Sequence, residues 1–191
     1  MKRILFGAII FLLVPTSAYS AKELPEYRTF FGVDVIRMET ELSYLNGTEN
    51  YEYDGLRIRY GLESDKGGSA GIEFIPVLSD EQIDPFGSPF ELELGPSLGV
   101  YFTVGKPVYF RLGISVSNSE YTDVNSGVSD SDTLTVIDVG LGFNFALSQD
   151  ITFYGEYTRR ISSEAEYTTF FTEDIETESE VIALGLNYKF L

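Results

Sequence analysis

A two-residue alternation of apolar and polar side chains runs from Tyr27 nearly to the C-terminus, with no convincing stretch of helical period. Successive strand residues point to opposite faces, so such runs build sheets with one apolar and one polar surface. The runs end at Gly, Pro, Asn, Asp and Ser, and they predict eight strands over 27–40, 52–64, 69–79, 90–104, 107–121, 132–147, 150–163 and 179–190. Each is at or above the roughly 9–11 residues that a tilted strand needs to cross a membrane.

The connections carry a second signal. Asp65-Lys66-Gly67-Gly68, Gly105-Lys106 and Ser148-Gln149 are tight, whereas segments 41–51, 80–89, 122–131 and 164–178 are long and fall at the opposite strand ends. An even number of antiparallel strands with short turns at one end and long loops at the other is the layout of an outer-membrane barrel. A soluble sandwich has no reason for that asymmetry. The expected fold is therefore all-β: an eight-stranded antiparallel up-and-down transmembrane β-barrel with short periplasmic turns and longer extracellular loops. It is expected to occupy 21–191, behind a signal peptide over 1–20. There Lys2 and Arg3 precede an apolar run from Ile4 to Val14, followed by Pro15 and a small-residue cleavage site at Ala18-Tyr19-Ser20.

Which face points outward is decided by glycine. In the fifth predicted strand Val108, Phe110, Leu112, Ile114 and Val116 oppose Tyr109, Arg111, Gly113, Ser115 and Ser117, and in the sixth Ile137, Val139, Leu141, Phe143 and Phe145 oppose Asp138, Gly140, Gly142 and Asn144. Glycine keeps to the polar face, as it does at Gly61, Gly71 and Gly185. On a solvated face glycine only weakens a strand, but an eight-stranded lumen is barely wide enough for side chains, and glycines there make room for long ones. The polar face is expected to point inward. Phe102, Phe110, Phe145, Phe153, Tyr188 and Phe190 have outward parity near the periplasmic strand ends, where a barrel carries an aromatic girdle.

The C-terminal segment Ala183-Leu184-Gly185-Leu186-Asn187-Tyr188-Lys189-Phe190 resembles the C-terminal strand of outer-membrane barrels, with a glycine followed by alternating apolar and aromatic residues. With the topology, it makes essentially the whole mature chain similar to the small eight-stranded outer-membrane β-barrel family typified by the outer membrane protein A transmembrane domain and outer membrane protein X. The resemblance implies a Gram-negative outer-membrane location and recognition of this strand, through Gly185, Tyr188 and Phe190, by the barrel assembly machinery. It fixes architecture better than activity, because the family mixes functions.

Composition narrows the function classes. The chain has no histidine and no cysteine, so the usual base and nucleophile arrangements for acyl transfer are missing, and no catalytic residue, metal site or cofactor is assigned. Thirteen basic residues face 30 acidic ones, for a net charge of −17; without Lys2 and Arg3 the balance is 11 against 30, or about −19. Nucleic acid is thereby an improbable partner. Segment 164–178 carries Glu164, Glu166, Glu173, Asp174, Glu176 and Glu178 around Tyr167, Phe170 and Phe171, a run that suits an extracellular ligand on the loops or a plain solvated face. Asp123, Asn125, Gly127, Asp130 and Asp132 only loosely resemble a calcium loop.

Three sets of candidate residues follow. Arg57, Arg59, Arg111, Arg160 and Lys189 share inward parity with Glu73, Glu91, Glu93, Asp138 and Glu156, which predicts a lumen charge network. Mutual pairing would plug the barrel; a looser arrangement would select ions or small solutes. Arg37 and Arg159 have outward parity about ten residues above the periplasmic ends and are expected at the outer headgroup level, within reach of lipopolysaccharide phosphates. Pro76 and Pro96, at similar heights in adjoining strands, each remove a ladder donor and predict either a gap in the wall or the start of a loop above the membrane. Two function classes stay open: a non-enzymatic structural or surface-adhesive barrel, and a narrow channel for small or apolar solutes resembling the outer membrane protein W type.

Overall fold

The computed structural model describes residues 26–44, 47–76, 79–83, 90–162, 165–166 and 174–190. The expected signal peptide and the loop residues Glu164, Tyr167, Phe170, Phe171 and Glu173 lie outside this set. The strands are β1 (Tyr27–Tyr44), β2 (Gly47–Ser64), β3 (Ser69–Ile75), β4 (Ser79–Ile83), β5 (Phe90–Val104), β6 (Val108–Asp123), β7 (Val128–Ala146), β8 (Ile151–Ser162), β9 (Ala165–Glu166) and β10 (Asp174–Phe190). β3 and β4 form the lower and upper halves of one stave, and β9 is a two-residue bridge against the top of β10. The sheet runs β1-β2-β3-β5-β6-β7-β8-β10, and β10 returns to β1 in continuous antiparallel register from Thr29↔Phe190 to Ser43↔Glu176. The result is a closed, all-antiparallel barrel of eight staves.

The periplasmic strand ends fall within a residue of the sequence expectation, because the turns there are written in glycine in two cases and in Ser148, whose hydroxyl accepts from the Asp150 and Ile151 amides, in the third. Gly67, Gly68 and Gly105 hold φ of 95°, 122° and 117°, a region side chains avoid. The outer ends differ. Segments 41–51 and 122–131, expected as loops, are mostly ladder: β1 runs to Tyr44, β2 begins at Gly47, β6 reaches Asp123 and β7 starts at Val128. The alternation stops where the apolar belt stops, but backbone pairing needs no apolar side chain, so the staves rise beyond the membrane as polar hairpins. The β6–β7 turn is held by Asp123, whose carboxylate accepts from the Ser126 hydroxyl at 2.7 Å and the Asn125 amide at 2.9 Å. Those bonds, the hydroxyl first, hold its carboxyl below the ordinary range. Asp123 thus serves the turn, and among the described residues no group of three potential ligands is arranged for a metal ion.

The outward face is an apolar belt. Val108, Phe110, Leu112, Ile114 and Val116 on β6 and Ile137, Val139, Leu141, Phe143 and Phe145 on β7 are all well exposed, a band of about 27 Å along the strand. At the usual tilt that approaches the height of a bilayer's apolar band, about 25 Å. Tyr60, Tyr188 and Phe190 cluster at its lower rim with ring centroids 6.3–6.4 Å apart.

The two prolines act differently from each other. Pro76 lies just past the end of β3. Pro96 sits in a β-bulge, where β5 spends three steps from Leu94 to Ser97 while β6 spends two from Ser119 to Ser117. The ladder between these two staves is intact up to Ile75↔Ser97 and resumes at Ser79↔Leu94, so no extended gap opens between them. The larger discontinuity lies one seam away: β2 pairs with β3 only from Ile58↔Phe74 downward, and among the described residues its upper part from Gly47 to Arg57 is laddered to β1 alone.

Two outcomes are expected. Unheated protein should migrate differently from boiled protein in detergent gels and should fractionate with the outer membrane; recovery as a soluble periplasmic species would be incompatible with this fold. In micelles, amides of β2 above Ile58 that do not bond to β1 should exchange with solvent faster than the β1 amides at the same height, and equal protection on both edges would show that the seam is closed.

Candidate functional site

The lumen holds a buried ionic layer, and its members come from six of the eight staves. Arg57 and Arg59 on β2, Arg111 on β6 and Arg160 on β8 meet Asp34 on β1, Glu73 on β3, Asp138 on β7 and Glu156 on β8, all at most 6% exposed. Arg57 donates from Nε to Asp34 Oδ2 at 2.7 Å and from Nη2 to Glu156 Oε1 at 2.8 Å. Arg111 Nη2 donates to Glu73 at 2.6 Å, and its Nε stands 3.6 Å from Glu156. Arg160 donates to Asp138 at 2.8 Å and to the hydroxyls of Ser115 at 2.9 Å and Ser97 at 3.2 Å. Arg59 reaches Asn187 at 3.3 Å and lies flat on the Tyr154 ring, 3.8 Å from its centroid. Four cations and four anions thus cancel within one layer, which is the condition for keeping charge in a narrow, water-poor space.

Glycine and tyrosine complete the fit. A Cβ at Gly142 would stand 2.3 Å from the Tyr109 ring, whose hydroxyl donates to Glu156 at 3.0 Å. At Gly185 it would meet Asp34 at 2.4 Å and the Tyr154 hydroxyl at 2.7 Å, and at Gly113 it would press on Asp138 at 3.0 Å. The lumen glycines are therefore the space into which the network's long side chains fold. The hydroxyls of Tyr101, Tyr154 and Thr152 are buried without a protein hydrogen-bond partner, the kind of group that internal water satisfies.

Arg57, Arg59, Glu73, Arg111, Asp138, Glu156 and Arg160, all of inward parity in the sequence, lie together in this layer, and Asp34, which the sequence did not single out, joins them. Asp34 escaped notice because both faces of its strand are apolar: Phe30, Ile36 and Met38 share its inward parity while Phe31, Val33 and Val35 face out, so parity alone carried no signal there. Lys189 stands apart from the layer and donates to Glu63 at 2.8 Å near the periplasmic mouth. Glu91 and Glu93 have side chains outside the described set, and the bulge breaks the alternation on which their lumen assignment rested. Their backbone register pairs them with Thr122 and the exposed Glu120, whereas the buried Ser117 and Ser119 pair with Ser97 and Leu94. Gly185 faces the lumen, while Tyr188 and Phe190 are exposed on the outer face.

The outer half of the lumen also buries the apolar side chains Ile36, Met38, Ile75, Leu134, Val136 and Val181, interleaved with the buried hydroxyls of Thr40, Ser97, Ser117 and Ser119. The rule of polar residues inward is thus only partly kept here, because a narrow bore can bury apolar side chains as a core does.

Arg37 and Arg159 face outward at the upper rim of the belt, just beyond Val35 on β1 and Tyr157 on β8, with side chains about half exposed. Each is ion-paired to a neighbouring strand, Arg37 with Glu52 and Arg159 with Glu178. At this exposure such pairs contribute little to stability.

Removing one member of the lumen layer leaves a buried excess of the opposite charge. Arg57→Met, which takes from Asp34 and Glu156 their shortest cationic partner and leaves them Arg59 at 3.4 Å and Arg111 at 3.6 Å, should lower the stability of the refolded barrel by about 3–5 kcal/mol, read as the shift of its urea midpoint in lipid vesicles. Arg37→Gln should shift it by less than about 1 kcal/mol. Equal effects of the two would refute the network's structural role.

Comparison with known proteins agrees with this architecture. Neisserial surface protein A superposes with a TM-score of 0.54 at 15% identity, over 84% of this chain and 97% of that one. Ail, the attachment invasion locus protein of Yersinia pestis, superposes with a TM-score of 0.52 at 11% identity, over 84% and 98%. At such identities the likeness is one of fold. Curated protein sequences give no match. The model of the outer membrane protein beta-barrel domain matches residues 6–190, nearly the whole chain, and the chain belongs to that family.

Proposed function

We propose that this is a non-catalytic barrel of the Gram-negative outer membrane, closed to solutes through its lumen and working through what it presents at the cell surface. The observation that carries this reading is the charge-balanced ionic layer, in which every buried carboxylate is within ion-pair distance of an arginine. The chain has neither histidine nor cysteine to serve as the usual base or nucleophile. Ile36, Met38, Leu134, Val136 and Val181, buried in the outer half, narrow the bore further.

The surface then carries the function, as an adhesive or structural face. Ail, the attachment invasion locus protein, has been crystallised with the heparin analogue sucrose octasulfate. Here the net charge of −17 favours a cationic or neutral partner over a polyanion. On this reading Arg37 and Arg159, half exposed and each paired with a carboxylate, would share their guanidinium groups with lipopolysaccharide phosphates. Gly185, Tyr188 and Phe190 belong to the strand that the barrel assembly machinery would read.

A second reading, a narrow channel for small apolar solutes, draws on the buried apolar side chains of Ile36, Met38, Leu134, Val136 and Val181. It requires the ionic layer to open. Conductance in planar bilayers distinguishes the readings: the closed barrel should show no steady open state, and a stable open level in the unmodified protein would overturn it. If Arg37→Gln with Arg159→Gln leaves lipopolysaccharide co-purification unchanged, the phosphate contact is wrong.

A further inference from the structure

The bulge at Gly95 and Pro96 leaves a depression in the outer wall that neither the lumen nor the loops account for. Its volume is about 420 Å³, and it is lined by Gly95, Pro96, Asn118, Ser119, Glu120 and Ser131 together with Asp132 and Thr133. That is within the range of small-molecule sites, roughly 300–1,000 Å³. Of these, Pro96, Asn118, Glu120, Ser131 and Thr133 are exposed and share the outward side of the wall, while Ser119 is buried beneath.

Its height is fixed by the register. The belt ends on these staves at Leu98, Val116 and Ile137. The next outward residues are Pro96 on β5 and Asn118 on β6; on β7 Thr135, opposite Val116, comes first and Thr133, opposite Asn118, follows, and above them lies the pair Glu120↔Ser131. The cavity therefore opens sideways directly above the hydrocarbon, at the level where sugar headgroups of an outer leaflet stand.

Its chemistry selects a ligand class. The Thr133 hydroxyl donates to Asn118 Oδ1 at 3.3 Å, which leaves the two N–H donors of that carboxamide without a protein partner among the described residues. Glu120 makes no ion pair there, and the hydroxyl of Ser131 adds a group that both donates and accepts. Donors and acceptors thus alternate across a few ångströms, as ring hydroxyls require, and the exposed pyrrolidine of Pro96 offers an apolar surface for the C–H face of a sugar ring. No lysine or arginine lines the cavity, so a phosphate or sulfate would find no cation to pair with and the carboxylates of Glu120 and Asp132 to repel it.

We infer that this bulge cavity is a binding site for a neutral pyranose, either on an outer-leaflet glycolipid or free at the surface. The proposal is independent of whether the lumen conducts. Isotopically labelled, refolded full barrel would be followed by amide shifts at 95, 118–120 and 131–133. One arm titrates methyl α-D-glucopyranoside, methyl α-D-galactopyranoside and dephosphorylated core oligosaccharide into micelles; the other compares phospholipid nanodiscs with nanodiscs containing rough lipopolysaccharide that carries neutral core hexoses. Saturable shifts at these amides in either arm support the site, and the arm that responds identifies the source. Asn118→Leu with Thr133→Val, checked for unchanged heat-modifiable migration, should weaken the interaction by about tenfold or more. The proposal is overturned if neither arm gives saturable shifts, if binding survives the double variant, or if it depends on the glycolipid's phosphates.

Discussion

Hydrogen bonding of the backbone in a medium that offers no partners is the constraint on which the structure rests. In hydrocarbon each peptide group must be satisfied within the protein, and a sheet does so only when it closes on itself. Here the closing seam is the β1–β10 ladder, continuous over the height of the barrel. Closure at eight staves sets a narrow bore, and the bore sets the interior. Long side chains can enter only where the facing wall is glycine, as Tyr109 does over Gly142, and charges can enter only in compensating numbers.

The interior is consequently layered. The layer of four arginines and four carboxylates ties together staves that are remote in sequence: Arg57 and Glu156 lie 99 residues apart, and Arg160 and Ser97 lie 63 apart. In the outer half, buried apolar side chains share the space with buried serine and threonine hydroxyls.

Departures from ladder regularity collect above the belt, and the same constraint explains why. Pro76, the Pro96 bulge and the upper edge of β2 all lie where water or headgroups can satisfy a stray N–H or C=O, so their cost is small. Below Ile75 and Ser97 the ladders of β3 and β5 are unbroken. Irregularity placed at the headgroup level reshapes the wall without breaching it, and the depression beside Pro96 is the result.

The sequence by itself determined the closed all-β architecture, the periplasmic turns and the inward direction of Arg57, Arg59, Glu73, Arg111, Asp138, Glu156 and Arg160. These follow from period and from glycine placement, which are local properties of the chain. Where both faces were apolar, as around Asp34, the period fell silent. Where a bulge inserts one residue, as between Leu94 and Ser97, a simple count of alternate residues no longer carries from one side of it to the other. Only the tertiary structure decided which charges pair, that Lys189 turns to Glu63 rather than to the central layer, that the outer half of the lumen mixes apolar side chains with hydroxyls, and that among the described residues the unladdered stretch lies on β2 above Ile58. Those outcomes depend on the stagger of strands distant in sequence around a closed ring, and a local alternation carries no information about stagger.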